Sequence, residues 1–122
     1  MHYQINNPQG KLIRVTYGEI FDVAIDLRIS SINFGKWVGV YLSSSNMKQL
    51  WIPPGFAHGF LVTSDYADVL YKTTNYWDPN SEHCLSWDDE LLDINWPTCS
   101  SNIIISKKDS NGKKFSNAKL FE

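Results

Sequence analysis

Ile20-Phe21-Asp22-Val23-Ala24-Ile25-Asp26-Leu27 decides the fold class. Phe21, Val23, Ile25 and Leu27 alternate with Asp22, Ala24 and Asp26, the period of two that a half-buried β-strand requires. Gly18-Glu19 separates this run from an earlier strand candidate, Lys11 to Tyr17. On the other side, the Ser- and Asn-rich stretch from Arg28 to Phe34 reads as a loop. Lys36 to Leu42 is again apolar and β-prone, and Ser43-Ser44-Ser45-Asn46 ends it. Gln49 to Ile52 is a short strand stopped by Pro53-Pro54-Gly55. Phe56 to Thr63 and Val69 to Thr74 read as a pair joined by a turn around Ser64-Asp65. Strands recurring about every 8–12 residues, with turn signals between them, favour a sandwich or barrel over alternating strands and helices. The best short helix candidate is Asp88 to Leu92, about one turn long.

The expectation is therefore an all-β, double-sheet jelly roll of the kind that includes cupins. With 122 residues the chain suits one domain, residues 1–122, and from about residue 98 it becomes polar and is expected to run as an extended tail. The formal charge of −2 and a pI near 5.9 give no basic footprint for nucleic acid. No apolar run approaches the roughly 18 residues that span a bilayer. Met1-His2-Tyr3-Gln4-Ile5 lacks the charged-then-apolar order of a signal peptide. Cys84 and Cys99 do not make a disulfide framework, and two reduced thiols fit a cytoplasmic protein. Aromatic residues, at 14%, are the one excess; most should fill the core, and a few could stack on a flat ligand.

Each candidate chemical residue also has an ordinary reading. His58 follows a Pro-Pro-Gly turn at the start of a strand and could be a satisfied barrel histidine. Lys11 could be a solvated strand end, Tyr71 a core aromatic, and Asp109 part of a surface charge run. Metal-binding cupins carry His-x-His, but residue 60 is Phe, and no cluster of three N, O or S ligands is visible in the spacing. No metal is expected.

The motifs in combination say more. They run in order through His2-Tyr3-Gln4, Gln9-Gly10-Lys11-Leu12-Ile13-Arg14-Val15 and Gly18 to Arg28. They continue through Phe34-Gly35-Lys36-Trp37 and Trp51-Ile52-Pro53-Pro54-Gly55-Phe56-Ala57-His58-Gly59-Phe60. Leu70-Tyr71-Lys72-Thr73-Thr74-Asn75-Tyr76-Trp77, Trp87-Asp88-Asp89, Ile94-Asn95-Trp96-Pro97 and Ser106-Lys107-Lys108-Asp109 complete the set. In order and spacing this resembles the dTDP-4-dehydrorhamnose 3,5-epimerase family, whose members carry a further segment ahead of the His-Tyr-Gln motif.

The resemblance implies a cofactor-independent, homodimeric cupin acting on a dTDP-4-keto-6-deoxyhexose. His2 then falls at the catalytic base, Asp109 at its partner carboxylate, and Tyr71 at the residue that returns a proton on the opposite face. Lys11 and His58 match groups near the sugar ketone, and Glu82, Lys108 and Tyr76 match substrate contacts. Trp77 stands where Tyr is often found. The chemistry suits these groups, because a ketone at C4 acidifies the protons on C3 and C5 and an enolate carries the charge. One base, one acid and a hydrogen-bonding partner for the enolate oxygen suffice. A non-catalytic nucleotide-sugar-binding cupin, a subunit completed by an N-terminal partner, and a ketoisomerase remain as alternatives.

Overall fold

The computed structural model describes residues 1–97 and 103–122. Among the described residues eight strands form two antiparallel sheets: β1 (His2–Gln4), β2 (Lys11–Tyr17), β3 (Glu19–Asp26), β4 (Trp37–Ser43), β5 (Gln49–Ile52), β6 (Phe56–Val62), β7 (Asp68–Thr73) and β8 (Glu82–Cys84). The larger sheet has the order β4-β3-β6-β1-β8 and the smaller β5-β2-β7, the double-sheet jelly roll expected of the sequence. No helix among the described residues is long and apolar enough to cross a membrane. Asp88 to Leu92 forms one turn, closed by the Asp93 amide donating to the Asp89 carbonyl.

Two expectations are overturned. β6 and β7 are not a hairpin: β6 pairs with β1 and β3, while β7 pairs with β2 in the opposite sheet. The loop after Val62 therefore crosses between sheets, a connection that a turn signal cannot distinguish from a hairpin. Nor is β3 half-buried, since Asp22 and Asp26 are as enclosed as the apolar residues between them. Ile20 and Ala24 pack between the sheets with Ile13, Val15, Leu42 and Ile52. Phe21, Val23, Ile25 and Leu27 face the other way, into a second core with Met1, Tyr3, Ala57, Leu85 and Leu92.

That second core is closed by the C-terminal segment, through Phe115, Ala118, Leu120 and Phe121. Isolated bridges join Leu85 to Lys113 and Arg28 to Phe121. The segment contains two single 3-10 turns, Asp109–Asn111 and Phe115–Asn117, and no strand among its described residues. The expected start of the tail and Cys99 lie outside the described residues. Ile13, Ile20, Ile25, Leu27, Leu42, Ile52 and Leu85 are fully buried, each contributing about 1.5–3 kcal/mol of hydrophobic stabilisation.

Candidate active site

Directly paired residues in an antiparallel ladder share a face. Cys84 pairs with His2, His2 with His58, and His58 with Ala24, so these four form one row across the larger sheet. Ala24 belongs to the core between the sheets, and the row therefore points inward. From the smaller sheet Lys11 shares the face of Ile13, and Ile13 pairs with Tyr71. The interior thus changes from apolar at the β3–β4 side to polar at the β1–β8 side. A cavity of about 490 Å³ opens there, lined by His2, Lys11, His58, Phe60, Tyr71 and Asp109, with Trp87, Trp96 and Ile103 to Ile105 forming an apolar wall.

His2 is held at both ends. Its Nδ1 lies 3.0 Å from Glu82 Oε1, and its Nε2 lies 2.7 Å from Asp109 Oδ1. Asp109 sits in a single 3-10 turn, where the Ser106 hydroxyl donates to its Oδ2 at 2.6 Å. Cys84 adds a third contact, its sulfur 3.7 Å from His2 Nε2. Hydrogen bonding to that sulfur, with Asp109 adding to it, lifts the imidazole above its ordinary 6.5 against the opposing effect of burial. Burial pushes Asp109 up, but Ser106 and His2 outweigh it and its carboxyl lies below the usual range. Glu82 behaves alike: burial raises it, but Lys108 Nζ at 2.6 Å and Trp77 Nε1 at 2.9 Å outweigh that and hold it below the usual range.

His58 occupies a drier place. Its Nε2 meets Asp22 Oδ1 at 2.5 Å, both residues buried. Burial lowers the His58 pKa although Asp22 opposes it, so the neutral imidazole donates Nε2–H to Asp22. Asp22 Oδ2 has no hydrogen-bond partner among the described residues. The Lys11 ammonium offsets part of the charge, and its own pKa is lowered by burial despite the pull of Glu82 and Asp22. Lys11 Nζ also donates to the His2 carbonyl at 3.5 Å. The Tyr71 ring meets His58 edge-on across the gap between the sheets, centroids 5.7 Å apart. Tyr71 is 44% exposed overall, yet its phenol is sheltered, and that burial, with Asp22 nearby, raises its pKa.

The fold thus gathers His2, Lys11, His58, Tyr71 and Asp109 around one cavity, with Glu82 and Lys108 linked behind His2. Tyr76 stands apart, 96% exposed, contributing only its carbonyl to Gln4. The aromatic that reaches this network is Trp77, and Lys108 Nζ lies 5.9 Å over its ring. Asp22, Cys84 and Ser106 are additions that the sequence reading missed. The spacing reading of no metal-ligand cluster is also corrected, because His2, Cys84 and Asp109 place ligand atoms within 4.8 Å of one another. Around His58, by contrast, Asp22 is accompanied by the Lys11 ammonium and the rings of Tyr71 and Phe60, a poor set for a cation.

A family profile described as dTDP-4-dehydrorhamnose 3,5-epimerase matches residues 1–117. A dTDP-4-dehydrorhamnose 3,5-epimerase from Pseudomonas aeruginosa is 54% identical over 121 residues, 99% of this chain and 66% of that one. The structure of dTDP-6-deoxy-D-glucose-3,5-epimerase from Legionella pneumophila, in complex with dTDP-4-keto-L-rhamnose, superposes with a TM-score of 0.94 at 46% identity. It covers 98% of this chain and 65% of the other. A 3'-monoepimerase from Streptomyces bikiniensis in complex with dTDP-quinovose gives a TM-score of 0.86 at 28% identity, over 94% of this chain and 58% of that one. The chain spans just under two-thirds of the length of the first two of these relatives.

Proposed function

From its membership of the dTDP-4-dehydrorhamnose 3,5-epimerase family, we propose that this chain inverts C3, C5 or both in a dTDP-4-keto-6-deoxyhexose by proton abstraction and return. The observation that carries this reading is the placement of His2 and Tyr71 on opposing sheets, either side of one cavity, with Lys11 and His58 between them. His2 removes the proton on carbon, and Asp109 orients its ring and stabilises the imidazolium. In the structure both nitrogens face carboxylates, so one contact opens before the imidazole accepts a proton from carbon. Lys11 donates to the enolate oxygen at C4, with His58 lining the cavity beside it, and losing such a donor typically costs on the order of 100-fold in rate. Tyr71 delivers the proton on the far face.

Glu82, Lys108 and Tyr76 contact the substrate in this scheme. The side chains supply base, acid and oxyanion partner, so the reaction needs no cofactor. A cytoplasmic homodimer is proposed as well, supported by exposed Trp51 and Leu70 on the smaller sheet, whose β5 and β7 are open edges.

The test is incubation with dTDP-4-keto-6-deoxyglucose in deuterated water, followed by NMR. Deuterium at both C3 and C5 is the expected result, and entry at one alone identifies a single-position epimerase. A folded chain that binds thymidine diphosphate yet exchanges neither proton would be a binding module.

A further inference from the structure

Three donor atoms of different kinds meet beside the cavity: His2 Nε2, Cys84 Sγ and Asp109 Oδ1. Zinc bound to N, S and O ligands at about 2.0–2.3 Å in a tetrahedron holds its donors about 3.3–3.7 Å apart. Here the sulfur lies 3.7 Å from Nε2 and 3.8 Å from Oδ1, so one of the three edges is at the upper end of that range and a second just beyond it. The third, Nε2 to Oδ1, is a 2.7 Å hydrogen bond that must widen by roughly 0.7 Å to accept a tetrahedral ion. Asp109 can supply that movement, because its side chain is 35% exposed and rides on a single 3-10 turn.

The surroundings match what a metal ligand set requires. Ligating histidines donate their second nitrogen to a carboxylate, and ligating carboxylates are themselves hydrogen-bonded. Glu82 Oε1 stands 3.0 Å from His2 Nδ1, and the Ser106 hydroxyl holds Asp109 Oδ2. His2 and Asp109 line the cavity, so a fourth coordination position would face it.

We propose that His2, Cys84 and Asp109 form a three-ligand site for zinc or a similar soft divalent cation. Binding displaces the thiol proton and any proton on Nε2 to solvent, without electron transfer. With the ion on Nε2 and a proton on Nδ1 facing Glu82, His2 keeps no free lone pair. The ion therefore acts as an inhibitor that competes with base catalysis. That consequence rests on the epimerase reading; the binding itself rests on the donor geometry.

Cobalt(II) is the probe, because a thiolate ligand gives a near-ultraviolet sulfur-to-cobalt band. The folded chain should develop that band at one equivalent and lose it on adding excess zinc. Cys84→Ser should abolish the band, Cys99→Ser should retain it, and Glu82→Gln should weaken binding about 10- to 100-fold. A folded chain without the band, or a band that survives Cys84→Ser, overturns the site. In parallel, zinc should suppress deuterium exchange in the parent chain, and the ratio of rates with and without zinc should approach one in Cys84→Ser. A chain with no exchange under any condition would sink the epimerase reading, while the cobalt spectrum still decides the metal site.

Discussion

Asp22 lies diagonally across from His58 on the neighbouring strand, joined to it at 2.5 Å, and both residues are buried. The pair fixes which nitrogen of His58 carries its proton and therefore how the ring is presented to the cavity. Asp22→Asn keeps the shape but can present its amide nitrogen to Nε2, which favours the other tautomer. Turnover in the deuterium assay should fall by about 10- to 1000-fold, because Nδ1 would then carry a hydrogen where the parental ring presents a lone pair. Retention of parental turnover in a folded Asp22→Asn chain would remove His58 orientation from the mechanism.

In the proposed reaction Tyr71 and His2 divide the two faces of the sugar between them. Tyr71→Phe should leave His2 free to remove a proton and return a deuteron on its own face. Exchange then continues with retention, while inversion falls by about 100- to 10,000-fold. NMR separates the two outcomes, and inversion of C5 at the parental rate would refute the assignment of Tyr71 as the acid.

The pH dependence follows from the contacts of His2. Its pKa in the fold is raised, with the Cys84 hydrogen bond the largest cause. The base-competent neutral form therefore fills only above the ordinary value of 6.5, and the acidic limb of the exchange rate should sit there. Cys84→Ala should move that limb to lower pH. The sign for stability is opposite: a raised folded pKa gives a contribution fully present below 6.5 and lost as pH climbs through the raised value. Urea midpoints measured across that window should decline less in Cys84→Ala than in the parent.

Gly18 has φ +72°, and a Cβ there would lie 2.1 Å from the Tyr66 carbonyl oxygen. Because the obstacle is backbone, Gly18→Ala combines left-handed strain with a forced shift of the 64–67 loop. It should cost about 2 kcal/mol or more, read as a lowered urea midpoint. Gly59→Ala is the contrast, since its Cβ first meets the Met1 sulfur, the end of a flexible side chain. The smaller loss is expected there.

The depressed carboxyl of Asp26 supplies an acid-side prediction. Arg28, chiefly through a side-chain hydrogen bond, holds it at about 2 against an ordinary 3.8. Its stabilisation is present above 3.8 and disappears as pH falls through about 2. Asp26→Asn should therefore be less stable at neutral pH and show a shallower loss of stability on acidification.

Strands long enough to show a period were legible in the sequence: β2 and β5 are found at their expected limits, and β3, β4, β6 and β7 within one residue of them. β1 and β8 were not, because three residues carry no period and exist as strands only through pairing with each other and β6. The burial of Asp22 escaped for a related reason. Alternation assigns a polar residue to the outer face, but β3 has no outer face, since the C-terminal segment covers its second side. Cys84 and Asp109 reach His2 over 82 and 107 positions, beyond anything that spacing can show. The resemblance to a family placed His2, Lys11, His58, Tyr71 and Asp109 together, and the fold brings those five to one cavity. Tyr76 is the residue that the resemblance placed near the sugar and the fold leaves in solvent.

Asp109 follows all eight strands in chain order, while His2 precedes nearly all of them. During synthesis His2 therefore emerges well before Asp109. A nascent chain can pair β2 with β5 and β7 while His2 still lacks Asp109, and the ligand triad with Cys84 is equally incomplete. The full set of contacts to His2 is thus deferred until translation has passed β8, so a ribosome stalled just after it would hold a sandwich in which His2 has Glu82 but lacks Asp109.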